Sequence, residues 1–380
     1  MASCFPRPGH AMHAASLFDP IQLGPLRLRN RVVMSAMTRN RAPHETPTAL
    51  NALYYGQRAT AGLIVTESTA ISRQGLGWPG APGIYEARHV EGWRLVTDAV
   101  HARGGHIVLQ LWHCGRSSHP STQPGGATPI GPSALQPAGT VRTPAGRQPL
   151  VVPRAATAAD IAACLREYAE AARRAMDAGF DGVEVHGGNG FLLDQFMKDS
   201  SNVRQDGYGG SAANRCRLLV EATAAVAAVW GPSRVGVRLS PTNPSNYELS
   251  DRDPDSLFGT AVAGLDDLGI AFIDVVEGSS SALPATADLD WAAHRTRFRG
   301  VYIANNGYDL ARAQQTVGRG HADMVAFARP FIANPDLVRR WAGGAPLNAV
   351  VQDTVYGAGE AGYTDYPFLD DDHQARAAAR

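Results

Sequence analysis

The stretch Asp181-Gly-Val-Glu-Val-His-Gly-Gly-Asn-Gly-Phe191 decides how this chain is read. It opens after a helix that ends at Gly179, and Gly182 to Val185 reads as a short buried strand. His186 and Asn189 follow at the strand's exit, in a turn too rich in glycine to be helix. A neutral imidazole and a side-chain amide each offer N–H donors. Glycine at 187, 188 and 190 lets the backbone fold tightly, so both donors can be turned towards one acceptor. Two donors on one carbonyl oxygen draw electron density from a conjugated double bond and prepare it for hydride; one such preorganised donor is worth roughly 2.7–4 kcal/mol. The other reading is a buried histidine capping a strand end beside a turn asparagine. The stretch alone leaves both open.

Working outward, the same design recurs. Arg31–Ala36, Ala61–Thr66 and His106–Trp112 are apolar runs before the opening stretch. After it come Arg234–Ser240, Ala271–Val276, Gly300–Ala304 and Ala322–Phe327. Helical patterns separate them, at about 47–60, 88–103, 157–179, 214–230, 254–268, 287–294, 309–319 and 335–342. Thr157-Ala-Ala-Asp160 opens one as a capping box with Asp in the Glu position. Gly179 closes it as a C-terminal glycine. Unbroken apolar strands alternating with amphipathic helices predict a parallel sheet buried on both faces. Eight such units predict an α/β fold of one closed (β/α)8 TIM barrel over 16–368. A Rossmann sheet fits less well, since no run leads into G-x-G-x-x-G. Residues 115–155, rich in Pro, Gly, Ser and Thr, read as a long excursion after strand 3, with a small hairpin around Leu150 to Val152. Residues 1–15 read as a disordered leader in which Met12 can serve as the start, and 369–380 as a C-terminal tail.

Bulk properties narrow the function. Thirty-five basic residues balance 35 acidic ones in 380 residues, so nothing in the charge asks for nucleic acid. The four cysteines, Cys4, Cys114, Cys164 and Cys216, are scattered, which predicts a reducing, cytoplasmic setting. No apolar run approaches the ~18 residues that span a bilayer. No two of the 12 histidines pair with a carboxylate at ligand spacing, so no metal is expected.

In a closed barrel, every strand's C-terminal end faces the active site. That rule gathers Thr38, Ser68, Gln110, Trp112, His186, Asn189, Arg238, Asn305, Asn306, Gly307 and Arg329 at one mouth. Gln110 and Arg238 lie inside otherwise apolar strands, and a buried amide or guanidinium must be satisfied. Either they form a structural network, or they meet a polar heterocycle, Gln on a pyrimidine-like edge and Arg on a site that becomes anionic. Ala304-Asn-Asn-Gly307 and Ala328-Arg329 read as a phosphate cradle, where barrels commonly bind phosphate through backbone N–H groups. Trp78, Trp112 and Tyr363 are candidates to wall a pocket for a flat small-molecule substrate.

Together these residues resemble the Old Yellow Enzyme family of FMN-dependent ene reductases, from about Leu17 to Tyr366. The most specific pieces are His186-Gly-Gly-Asn-Gly-Phe-Leu-Leu-Asp-Gln-Phe196, Ser200–Ser211 and Asn214-Arg215. Asn30-Arg31, Thr38-Arg39, Gln110–Trp112, Phe331–Leu337 and Gly362–Pro367 support them. The resemblance implies FMN at the barrel mouth, with NADPH or NADH as reductant. It implies that Thr38 hydrogen-bonds the flavin ring, that Ala36 and Ser68 touch it through backbone, and that Met37 lies with them. Gln110 then pairs with the pyrimidine edge and Arg238 faces the reduced ring, while Asn305, Asn306, Gly307, Ala328 and Arg329 hold the phosphate. His186 and Asn189 bind the substrate carbonyl and the nicotinamide.

Several positions depart from the family pattern. The family usually has Tyr at position 191 as proton donor; here Phe191 has no proton to give. Ala36 replaces a frequent Pro, and Asn306 and Ala328 replace frequent glycines. The resulting expectation is ping-pong reduction of an α,β-unsaturated aldehyde, ketone or nitroalkene by a monomer or homodimer. A desaturase or isomerase on the same flavin, and a barrel that binds ligand without redox work, are the alternatives.

Overall fold

The computed structural model describes residues 15–357 and 359–370, and only the backbone of Asn246. The leader and tail expected at 1–15 and 369–380 lie almost wholly outside the described residues. Eight parallel strands form the barrel: β1 (Val32–Met34), β2 (Leu63–Val65), β3 (Ile107–Trp112), β4 (Gly182–Gly187), β5 (Val235–Leu239), β6 (Phe272–Val276), β7 (Val301–Asn305) and β8 (Met324–Phe327). They pair in chain order, β8 pairs with β1, and each of the eight runs read from the sequence holds one strand. A two-residue strand, Thr69–Ala70, adds to the end of β3.

Strand alternation sorts the core into two clusters. Val32, Met34, Ile64, Leu109, Val183, Val237, Ile273 and Val325 pack outward with helix residues such as Trp93, Ile161, Tyr168 and Leu219. Val33, Leu63, Val65, Val108, Phe272, Ile303, Met324 and Ala326 pack inward, with no helix residue among them. Successive side chains of a strand point to opposite faces, so a strand covered on both sides is apolar throughout. Leu23 and Leu28 join the inward cluster from a hairpin, Ile21–Leu23 against Leu26–Leu28, that plugs the N-terminal end. The sequence reading missed this hairpin, whose strands are only three residues long.

The local signals resolve as follows. Thr157 caps the helix Ala158–Asp177, its hydroxyl accepting from Asp160 N at 3.2 Å while Asp160 accepts from Thr157 N at 2.7 Å. Gly179 adopts φ 85° just beyond that helix. The first helix starts at Ala49, later than expected, because the Thr48 side chain caps it. In the excursion, the hairpin joins Thr140–Thr143 to Gly146–Pro149. It therefore lies upstream of Leu150, where Gly146 at φ 92° makes the turn. The short helices Leu192–Met197 and Arg329–Ala333 were not anticipated. No helix among the described residues is long and apolar enough to cross a membrane.

One lumen contact has a testable consequence. A Cβ on Gly236 of β5 meets three Phe272 ring carbons at 2.1–2.3 Å. Glycine here makes room for the phenylalanine that fills the lumen. Gly236→Ala is expected to lower stability by about 1–3 kcal/mol through overpacking. Adding Phe272→Leu should recover part of that loss in chemical denaturation.

Candidate active site at the barrel mouth

Above the apolar plug, the lumen turns polar. Register sets Glu184 opposite Gln110, and Arg238 opposite both His186 and Asp274. Ser68 Oγ donates to Gln110 Oε1 at 2.8 Å, and Gln110 Nε2 donates to Glu184 Oε1 at 2.7 Å. That pins the amide and leaves one lone pair and one N–H uncommitted. Arg238 Nη1 donates to Ser35 Oγ at 3.0 Å and to Asp274 at 3.2 Å. Asn305 Nδ2 donates to the same Ser35 hydroxyl and to both Asp274 oxygens. Arg238 Nε is buried without a partner among the described residues.

This layer holds two carboxyls and one guanidinium. Burial, reinforced by the neighbouring Asp274 carboxylate, pushes Glu184 up to about 8. Burial also raises Asp274, against the pull of Arg238 and Asn305. Both shifts favour keeping a proton in this layer.

The donor pair lies at the exit of β4. His186 is buried, and burial together with the Arg238 charge drives it well below the ordinary histidine range. Its ring is therefore neutral. Gly188 N donates to Nδ1 at 3.4 Å, which assigns the proton to Nε2. Asn189 adopts φ 56° and Gly190 φ 82°, left-handed conformations that Asn and Gly accept most readily. Ser240 Oγ accepts from Asn189 N at 2.6 Å, and the buried Asp194 accepts from Gly190 N at 2.9 Å. Asn189 Oδ1 accepts from Asn243 Nδ2 at 3.0 Å. His186 Nε2–H and Asn189 Nδ2–H are thus the atoms left to donate to a bound molecule.

Phe191 closes one side. Its ring contacts His186 at a centroid distance of 5.1 Å, Trp112 at 5.2 Å, Trp78 at 5.9 Å and Tyr247 at 6.4 Å. Of these four partners, Tyr247 alone carries a hydroxyl. Burial pushes that phenol up to about 12, so it keeps its proton at neutral pH, and Ser117 pairs with it. Tyr363 is placed elsewhere. It stacks on Tyr54 at 4.0 Å, its hydroxyl accepts from Asn51, and Arg41 lies over its ring. Of the three aromatic candidates, Trp78 and Trp112 thus share one cluster with Phe191 and Tyr247.

The remaining candidates line two loops and the end of β1. Ala36, Met37 and Thr38 are half-buried after β1. Asn306 at φ 85° and Gly307 at φ 70° make a left-handed turn after β7. Asn306 Nδ2 fastens this turn to the carbonyls of Glu277 and Ser279, and Arg312 donates to Gly307 O. The backbone N–H groups of Gly307 and Arg329 have no acceptor among the described residues. Ala328 and Arg329 sit partly to fully exposed after β8.

Sequence reasoning missed Ser35, Glu184, Ser240, Asn243, Tyr247 and Asp274. Glu184 and Asp274 carry the signal that found Gln110 and Arg238, a charge inside an apolar run. Asn243 and Tyr247 lie in a loop with no local signal.

The raised Glu184 carboxyl links stability to pH. The folded state holds its proton to about 8, whereas the unfolded chain releases it near the ordinary glutamate value of 4.5. Between those values the native state binds more protons, so stability falls as pH rises, by at most about 1.4 kcal/mol per unit. Denaturation of wild type and Glu184→Gln at pH 5.5 and pH 8 is expected to show the variant gaining on wild type at the higher pH. A difference that does not change with pH means the carboxyl is ionised throughout.

Comparison with known proteins identifies the family. The family model described as the NADH:flavin oxidoreductase / NADH oxidase family matches residues 16–348. The chain is 44% identical over 359 residues to a probable flavin mononucleotide-dependent alkene reductase of Leishmania infantum, covering 93% of this chain and 97% of that protein. Among solved structures it is similar to morphinone reductase in complex with tetrahydroNAD, at 45% identity and TM-score 0.89, covering 94% of this chain and 99% of that one. It is also similar to the old yellow enzyme homologue from Zymomonas mobilis, at 43% identity and TM-score 0.89, covering 93% of this chain and 100% of that one. The chain therefore belongs to the NADH:flavin oxidoreductase / NADH oxidase family, the Old Yellow Enzyme family that its motifs resemble.

Proposed function

We propose that this protein is an NAD(P)H-dependent flavin ene reductase that reduces the activated C=C bond of α,β-unsaturated carbonyl or nitro compounds. The observation that carries the reading is the His186–Asn189 pair, two donors left unspent at the barrel mouth beside a polar lumen. The residues fit FMN. Gln110 keeps one donor and one acceptor for a pyrimidine edge, and Arg238 keeps an unpaired Nε. The free amides of Gly307 and Arg329 suit a phosphate, with Asn305, Asn306 and Ala328 flanking them. Ala36, Met37 and Thr38 would lie along the ring. Bound FMN supplies the hydride acceptor for NAD(P)H and the hydride donor for the substrate's β carbon.

The chain's own residues do the rest. His186 Nε2–H and Asn189 Nδ2–H bind the substrate's carbonyl or nitro oxygen and stabilise the negative charge that develops there. Because His186 is neutral, it polarises by hydrogen bonding and does not titrate in the working range. Trp78, Trp112 and Phe191 exclude water from the flat substrate. Phe191 gives no proton, and Tyr247 supplies one to the α carbon, with Ser117 behind it. The reductase names of the relatives disfavour the desaturase or isomerase alternative. The protein is proposed to work in the cytoplasm as a monomer or homodimer; the buried thiols of Cys114, Cys164 and Cys216 are free.

Purified protein is expected to be yellow, to bleach with NADPH under anaerobic conditions and to regain colour on adding cyclohexenone. A protein whose colour no activated alkene restores is not an ene reductase. His186→Ala or Asn189→Ala should each lower kcat/KM for cyclohexenone by about 10²–10³. Tyr247→Phe should slow reoxidation by the alkene while leaving reduction by NADPH unchanged. Equal loss in both half-reactions would remove Tyr247 as the proton source.

A further inference from the structure

We propose that Asn243 is a positioning residue that decides which end of the Asn189 amide faces the substrate. The proposal rests on the reading that Asn189 donates to a substrate oxygen. An asparagine side chain is nearly symmetric in shape, so only its partners decide which end carries the oxygen. Asn243 is 1% exposed and lies in the loop after β5. Its Oδ1 accepts from two backbone amides, Ser245 N at 3.1 Å and Ser280 N at 3.3 Å. A backbone N–H only donates. Turning the Asn243 amide over would set its NH2 against both, so its orientation is determined.

The other end follows. Asn243 Nδ2 donates to Ser280 Oγ at 2.9 Å and to Asn189 at 3.0 Å. The atom of Asn189 that meets this donor must be Oδ1, and the one left over is Nδ2. Two backbone amides therefore set the polarity of the substrate-facing group through one intervening side chain. The link also ties three consecutive loops, those after β4, β5 and β6. Ser240 Oγ holds the Asn189 backbone independently at 2.6 Å, so the turn itself does not rest on Asn243.

The variant Asn243→Asp keeps an oxygen for the two backbone amides but presents an acceptor to Asn189. The Asn189 amide then turns its NH2 towards the carboxylate and its oxygen towards the substrate. The experiment uses flavin-loaded protein and a saturated ketone, cyclohexanone, which binds without reacting. Its dissociation constant is read from the change in flavin absorbance. Asn243→Asp is expected to bind cyclohexanone at least about tenfold more weakly in the wild-type background. In an Asn189→Ala background it should cause no further loss, while flavin content and melting temperature stay near their starting values. The same loss in both backgrounds, or none in the first, overturns the proposal. Unchanged binding by Asn189→Ala alone overturns the reading of Asn189 as a donor, and this proposal with it. Should Asn243→Asp lose flavin, Asn243→Ser is used in the same cycle. It removes the donor without adding charge, and a loss of about threefold, confined to the background that retains Asn189, is the expected result.

Discussion

The ion pair between Arg238 and Asp274 is the interaction on which the mouth of this barrel depends. A guanidinium with so little exposure needs a carboxylate, and Asp274 on the next strand supplies it at 3.2 Å. Breaking such a buried pair by removing one partner is strongly destabilising, because it strands the other charge. Ser35 and Asn305 add hydrogen bonds to it, so β5, β6, β7 and the residue after β1 all converge on this one pair. The same positive charge reaches sideways to His186 and helps to keep it neutral. It also opposes, without cancelling, the burial that keeps a proton on Glu184. Structure and electrostatics at the mouth therefore have a common origin.

A second theme is how backbone amides set the chemistry of side chains. Gly188 N selects the His186 tautomer, and Ser245 N with Ser280 N selects, through Asn243, the orientation of Asn189. Backbone donors cannot reverse their role, so they serve as fixed references for groups that can. Each selection leaves an N–H free to donate. Two donors of this kind match a carbonyl or nitro oxygen and mismatch a cation or a second donor. On the aromatic side Phe191 carries no hydroxyl, and among its ring partners the phenol stands on Tyr247 in a neighbouring loop.

Much of the fold was legible in the chain itself. Eight apolar runs separated by helical periodicity specify a parallel sheet covered on both faces, and that pattern is local. The Thr157 capping box and the left-handed Gly179 are local too, and both form as written. Gln110 and Arg238 announced themselves as polar groups in apolar strands. Glu184 and Asp274 carried the same signal unread. The hairpin at Ile21–Leu28 was not legible, since its strands are too short to show alternation and its leucines matter only as a plug for a closed lumen.

The sequence by itself thus determined the barrel and the family and singled out His186 and Asn189 as candidates, because each is written in spacing or in a contiguous motif. Only the tertiary structure decided what those residues do to one another. Glu184 meets Gln110, Arg238 meets Asp274 and Asn243 meets Asn189 across 74, 36 and 54 positions of chain. Tyr363, matched within a motif, stacks on Tyr54, while Tyr247, matched in none, stands against Phe191. Such pairings depend on strand register and loop convergence, which bring together atoms that no local pattern relates.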